Sequence, residues 1–151
     1  MNQQDYLDQL VLLELNVSEM YRMFSQVYEQ DREFWWKISL EEINHASLLK
    51  SVHHYVRLNI VPEGLISQEI DQIVKVNQNI KDIINDFKQN PSREKCFNIA
   101  IELESSAAET HYQKIMTEQT DDNVMKIFKK LNNDDIDHLN RIKQYKLDNN
   151  I

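Results

Sequence analysis

The sequence is short of the residues that turns and crosslinks require: it has one Gly, two Pro and one Cys among 151 residues. Turns and strand connections use Gly and Pro, so long helices with short connections fit this shortage best. The lone Cys96 excludes an intrachain disulfide framework and any cysteine-rich zinc or rubredoxin-type site. No apolar run approaches the ~20 residues that a membrane span requires, so no membrane partner is expected.

Basic residues are outnumbered by acidic ones, 17 to 25, and the formal net charge is −8. Nucleic-acid binding depends on Lys and Arg side chains that neutralise phosphates, so this balance argues against a nucleic-acid partner. The first residues, Met1 to Asp5, contain neither the basic region nor the apolar core of a secretory signal. Together with the single cysteine, this predicts a cytoplasmic location.

Apolar residues recur at spacings of three and four along most of the chain, which predicts amphipathic helices. The third stripe is expected to place Ile73, Val74 and Ile80 in the core. Pro91 is expected at the first position of the fourth helix, and the polar tail after Asp148 is expected to fray. The prediction is an all-α single domain, residues 1–151, with helices over about 4–29, 32–58, 67–88, 91–118 and 121–147.

Polar residues interrupt the core-facing stripes of four of these helices. Glu42 and His45 lie three residues apart, so both side chains emerge from one face of the second helix. The same pairing recurs in the fifth helix as Asp135 and His138. The first helix has an equivalent gap in its stripe, which Glu14 fills.

Glu104 fills the corresponding gap in the fourth helix. Its neighbour Glu102 competes for this role, but the apolar stripe favours Glu104. In the fifth helix, Asp134 and Asp137 stay open as alternatives to Asp135.

The chain also contains an internal repeat. Residues that correspond at identical offsets are Glu14 with Glu104, Glu19 with Glu109, and Tyr21 with His111. The repeat predicts two helical hairpins related by pseudo-twofold symmetry, each of which supplies half of one site. The third helix is then the crossover between the two hairpins.

Four ionised carboxylates in an apolar interior need compensation, because desolvation and mutual repulsion both oppose their charges. Two metal cations would compensate them directly. An oxygen-rich ligand set with one imidazole per metal suits iron, or else manganese, better than structural zinc, which favours Cys and His. The pattern therefore predicts two metal ions, with iron first and manganese second.

One glutamate on each of two helices, plus two carboxylate-x-x-His pairs, resembles the ferritin-like di-iron carboxylate proteins. The tyrosine seven residues after Glu14 looks most like the rubrerythrin branch. The resemblance implies a ferritin-like four-helix bundle with an added crossover helix. It also implies the ligand roles: Glu42 and Glu104 would bridge the metals, Glu14 and Asp135 would be terminal ligands, and His45 and His138 would bind one metal each.

Four departures from the patterns of these proteins limit this resemblance. Ala107 stands where rubrerythrins carry a further glutamate, and the single cysteine cannot build their rubredoxin domain. Ile43 stands where bacterioferritins carry their haem-ligating methionine, so no haem is expected. Asp135 is one methylene shorter than the usual glutamate, which would leave one metal site weaker or more open.

The resemblance implies a non-haem di-iron oxidoreductase that reduces hydrogen peroxide or dioxygen with electrons from an external donor. One alternative is a ferroxidase or iron-storage protein that uses the same ligands. The other is a metal-free helical interaction module.

Two aromatic features bear on the site and on assembly. Tyr21 lies about 10 Å along the helix from Glu14, where it would be a hydrogen-bond donor behind the ligands, a redox-active phenol or, with more weight, a core residue. The adjacent Trp35 and Trp36 cannot both face one core. One of them is therefore expected to mark the interface of a homodimer.

Overall fold

The computed structural model describes residues 3–62, 66, 70–110 and 122–151, and the side chains of all of these except 107–110. Within these residues the chain is all-helical and contains no strand, which confirms the all-α prediction. None of these helices combines the length and the hydropathy that crossing a bilayer needs. The helices are α1 (Gln3–Val27), α2 (Arg32–Arg57), α3 (Ile70–Gln89), α4 (Arg93–Thr110) and α5 (Asn123–Asp148).

The chain divides into two compact units, residues 1–90 and 91–151. In the first unit, α2 and α3 both pack against α1, and in the second, α4 packs against α5. The ferritin-like topology, the single domain and the pseudo-twofold symmetry stay predictions. The predicted end of the fourth helix near residue 118, the start of the third at 67 and His111 lie outside the described residues.

An aromatic cluster fills the core of the first unit near the connection between α1 and α2. Trp35 is fully buried there and stacks on Tyr21 with 5.4 Å between ring centroids. Phe24 contacts both Trp35, at 5.2 Å, and Phe87 of α3, at 5.0 Å. Trp36 is 46% exposed, so the prediction that only one of the two tryptophans faces the core is confirmed.

The buried face of α3 differs from the predicted one. Val74 is 44% exposed, whereas Asn77 is buried, so the prediction that Val74 belongs to the core is wrong. The buried residues Ile73, Ile80 and Phe87 recur every seven residues and centre the buried face on position 80. At about 100° per residue, position 77 lies about 60° from this centre and position 74 about 120°. A polar side chain is tolerated at position 77 because its hydrogen-bonding groups are satisfied. The side-chain amide of Asn16 donates to the side-chain oxygen of Asn77 at 3.1 Å, and the side-chain amide of Asn77 donates to the backbone carbonyl of Gln9 at 3.0 Å.

The start of α4 also corrects a prediction. The helix begins at Arg93, so Pro91 precedes it and does not occupy its first position. Ser92 is the capping residue, because its hydroxyl accepts the Lys95 amide at 3.1 Å. At α5 the Asp122 side chain caps the helix by accepting the Met125 amide at 3.0 Å.

The ends of α2 and α5 share one geometry, with an asparagine in the left-handed conformation just past the helix. Asn59 has φ 54° and Asn150 has φ 53°. In α2 the following amide, that of Ile60, donates back to the carbonyl of Tyr55 at 3.1 Å, and in α5 that of Ile151 donates to Lys146 at 3.1 Å. These are Schellman caps in which Asn takes the place that Gly usually fills. The prediction that the tail after Asp148 frays is therefore wrong.

Candidate metal centre

The six residues predicted as metal ligands are all buried, each at most 8% exposed. They comprise four carboxylates and two imidazoles in an interior that is otherwise largely apolar. The members are Glu14 on α1, Glu42 and His45 on α2, Glu104 on α4, and Asp135 and His138 on α5. Three of them lie in each unit, and each unit is described by itself below.

In the first unit, the imidazole of His45 lies between two carboxylates. Its Nδ1 donates to Oε2 of Glu42 at 3.0 Å, one turn earlier on the same helix. The same nitrogen lies 3.6 Å from Oε2 of Glu14 on the neighbouring helix. At that separation the carboxylate of Glu14 is within ion-pair distance of the ring nitrogen. The i,i+3 spacing brings Glu42 and His45 together, and Glu14 from the neighbouring helix completes a compact group of two carboxylates and one imidazole.

The proton on His45 compensates part of this buried negative charge. Burial opposes the charged imidazolium, but the carboxylates of Glu14 and Glu42 outweigh burial and raise the pKa of His45 from 6.5 to about 11. At neutral pH the metal-free chain therefore holds an imidazolium between two carboxylates. A metal that takes His45 as a ligand must displace this proton, because only the neutral imidazole has a free electron pair on nitrogen.

Metal binding is therefore expected to release a proton from His45 and to tighten as pH rises. Between pH 6.5 and 8, the contribution of this proton to apparent affinity is roughly tenfold per pH unit. Calorimetric titration with Fe(II) under anaerobic conditions, in buffers of different ionisation enthalpy, measures the release. A His45→Gln variant serves as the comparison. Equal proton release by this variant and by the wild-type chain would contradict the assignment.

The metal-free chain should show the opposite trend in stability. A pKa that is raised on folding contributes stability that is fully present below pH 6.5 and is lost as pH rises towards 11. Alkaline conditions thus weaken the metal-free fold while they favour metal binding.

The second unit contains a group of similar composition. Nδ1 of His138 on α5 lies 3.8 Å from Oε1 of Glu104 on α4. Asp135 lies three residues before His138, and both are buried. As in the first unit, the ring nitrogen Nδ1 faces the carboxylate of the preceding helix.

The structure also separates the candidate acids from their neighbours in the sequence. Glu102 is exposed, whereas Glu104 is buried. Asp134 lies 2.7 Å from Lys130, and Asp137 is an exposed partner of Arg141 at 2.8 Å. The alternatives that the sequence left open therefore belong to the outer faces of their helices.

The donor chemistry of the buried residues fits a metal ion. Each unit holds a buried carboxylate and a buried imidazole that could take part in binding one, Glu42 with His45 in the first unit and Asp135 with His138 in the second. Carboxylate oxygens combined with imidazole nitrogens suit iron or manganese, and no thiolate is present to favour structural zinc. The individual ligand roles, and the choice between bridging and terminal carboxylates, stay predictions.

Two further buried hydroxyls escaped the sequence analysis. Ser18 and Ser39 lie on the facing sides of α1 and α2, one turn from Glu14 and Glu42. Ser18 is four residues after Glu14 and therefore shares its helix face, so the spacing alone predicts that Ser18 is buried next to the ligands. Tyr21 lies fully buried in the aromatic cluster of the first unit and stacks on Trp35.

Comparison with known proteins adds no further information about the residues of this centre. The resemblance to ferritin-like proteins rests on the motif residues, and the structure adds their burial and their spacing within each unit. A search of family models, of curated proteins and of solved structures finds no match to this chain.

Proposed function

We propose that this protein is a non-haem di-iron oxidoreductase of ferritin-like type that reduces hydrogen peroxide or dioxygen. The observation that carries the proposal is the shared construction of the two units. In each unit a carboxylate from one helix faces Nδ1 of a histidine on the next, with Glu14 facing His45 and Glu104 facing His138. A second buried carboxylate lies three residues before each histidine.

Charge balance supports two metal ions over a single one. The four carboxylates carry four negative charges in a poorly solvated interior, and two divalent cations balance them. A single divalent cation would leave two buried charges uncompensated, at a cost of several kcal/mol for each ion. The internal repeat supports the same conclusion, because it gives each hairpin half of a symmetric ligand set.

The residues of the chain have distinct roles in this proposal. Glu42 and Glu104 would be shared between the two ions, and Glu14 and Asp135 would each serve one ion. The shorter side chain of Asp135 would leave its ion more open to the oxidant. His45 gives up its Nδ1 proton when it becomes a ligand, which offsets the positive charge that enters the core.

Iron at this site would supply two electrons to an O–O bond by passing from the ferrous to the ferric state. The surrounding apolar side chains exclude water, which strengthens every charge interaction inside the site. Cys96 is a lone buried thiol and offers no cysteine cluster for electron transfer. The electrons that restore the ferrous state are therefore assigned to an external donor.

Removal of Glu104 is expected to slow the oxidation of the bound iron. The test loads the chain with Fe(II) anaerobically, adds hydrogen peroxide or dioxygen separately, and follows near-ultraviolet ferric absorption by stopped flow. Glu104→Ala should slow the faster of the two reactions by more than about tenfold. Loss of even an indirect partner of a metal site typically costs about tenfold or more, and Glu104 is a proposed direct ligand.

Glu102→Ala is the matched control, because this glutamate lies two residues away on the same helix with its side chain exposed. It should react like the wild-type chain. Equal rates for the Glu104→Ala and Glu102→Ala variants would overturn the proposed site. The wild-type rates also distinguish a peroxidase, which reacts faster with peroxide, from a ferroxidase that prefers dioxygen.

A further inference from the structure

Between α1 and α2, one helical turn from Glu14 and Glu42, a hydrogen bond crosses from one helix to the other. The hydroxyl of Ser18 on α1 donates to the backbone carbonyl of Ser39 on α2 at 2.8 Å. Both serines are buried. The hydroxyl of Ser39 is engaged within its own helix, where it donates to the carbonyl of Trp36 at 2.7 Å.

We propose that Ser18 is a positioning residue of the metal centre, which fixes the register at which α1 presents Glu14 to α2. This inference rests on the proposed function, because it concerns the ligands of that centre. Ser18 binds no metal itself. It acts through the relative placement of Glu14, Glu42 and His45.

The hydrogen bond joins the two helical turns that carry the ligands. Ser18 lies four residues after Glu14, so it occupies the same face of α1 one turn further along. The carbonyl of Ser39 is also the helical acceptor for the amide of residue 43, and this pair closes the turn that contains Glu42. A backbone carbonyl has no rotamers, so the acceptor of the hydrogen bond is as rigid as the helix.

A small slip between the helices would be enough to disturb the ligand set. A shift of one residue along a helix moves a side chain by about 1.5 Å. Across the two helices the His45 ring lies 3.6 Å from Glu14, so such a shift is a large fraction of that distance. The 3.0 Å between His45 and Glu42 would not change, because both lie on α2. Displacements near 1 Å are enough to impair a preorganised site. The Asn16–Asn77 hydrogen bond fixes α1 to α3 in a similar way, but α3 carries none of the candidate ligands.

Ser18→Ala tests this role in the full-length chain. Metal affinity is measured by anaerobic titration with Fe(II), and ligand geometry by the visible spectrum of the chain loaded with Co(II). Loss of the hydrogen bond should weaken Fe(II) binding about three- to tenfold, which is the range expected from one net hydrogen bond. The Co(II) spectrum should change as well, a response that a purely structural serine would not give.

Ser25→Ala is the matched control. Ser25 is a buried serine on the same helix, and its hydroxyl donates to the backbone carbonyl of Arg22 within that helix at 2.5 Å. This variant should keep the wild-type affinity and Co(II) spectrum. Ser18→Thr retains the hydroxyl and should keep an affinity close to that of the wild-type chain, which also provides a test if Ser18→Ala does not fold.

The outcomes separate this inference from the proposed function. If the wild-type chain binds metal while Ser18→Ala and Ser25→Ala match it in affinity and spectrum, the positioning role is overturned and the di-metal centre stands. Weaker binding by Ser18→Ala alone, with recovery in Ser18→Thr, supports the positioning role. A wild-type chain that takes up no metal overturns both.

Discussion

In a Glu42→Ala variant, and separately in a His138→Ala variant, we expect the chain to lose the capacity to bind two metal ions. Glu42 is a proposed bridging ligand, so its removal withdraws an oxygen from both ions and leaves His45 without its closest carboxylate, at 3.0 Å. His138 is the imidazole of the other ligand set and is fully buried. Anaerobic titration with Fe(II), followed by metal analysis after gel filtration, gives the number of ions per chain.

Glu33→Ala is the control for Glu42→Ala, because Glu33 lies on the same helix with its side chain exposed and pairs with Lys37 at 2.9 Å. An exposed ion pair of this kind contributes little to stability. The control variant should bind metal like the wild-type chain. The ligand assignment fails if Glu42→Ala and His138→Ala still bind two irons per chain.

Replacement of Trp35 by Ala is expected to have the largest effect on stability. Trp35 is fully buried and contacts Tyr21, Phe24 and Phe34, with centroid distances between 5.1 and 5.4 Å. Truncation of a buried tryptophan to alanine costs roughly 3–5 kcal/mol, because the lost burial is joined by the energy of the cavity. Urea unfolding of the metal-free chain, followed by far-ultraviolet circular dichroism, measures the change.

Trp36→Ala provides the comparison, because the neighbouring indole is 46% exposed. Its loss should change the free energy of unfolding by less than about 1 kcal/mol, as for other substitutions outside the core. Similar destabilisation by the two variants would show that the aromatic cluster does not stabilise the first unit as described.

The buried acids could be predicted from the sequence because each one stands in a gap of an otherwise apolar helical stripe. Helical periodicity places residues of one stripe on one face, and it selected Glu104 over Glu102 correctly. The same reasoning gave the burial of Glu14, whose stripe is otherwise apolar. Periodicity is informative here because these helices are long and nearly free of Gly and Pro.

Features that depend on a distant partner could not be predicted in this way. From the sequence Asn77 looks like a solvent-facing residue, but its side-chain oxygen accepts a hydrogen bond from Asn16, 61 positions earlier in the chain. Val74 was placed in the core instead, because hydropathy alone ranks valine above asparagine. The error at Pro91 has a local cause: two adjacent residues could both begin a helix, and the side-chain cap offered by Ser92 decided the boundary.

The central claim is that the two sets of ligands form one centre, and the magnetic state of bound iron tests it most directly. The chain is loaded with Fe(II) anaerobically, oxidised, and examined by Mössbauer and electron paramagnetic resonance spectroscopy alongside metal analysis. Two ferric ions that share carboxylates should be coupled, which predicts two irons per chain and no paramagnetic resonance signal from the loaded site. Isolated high-spin ferric signals, or fewer than two irons per chain, would contradict a shared di-iron centre.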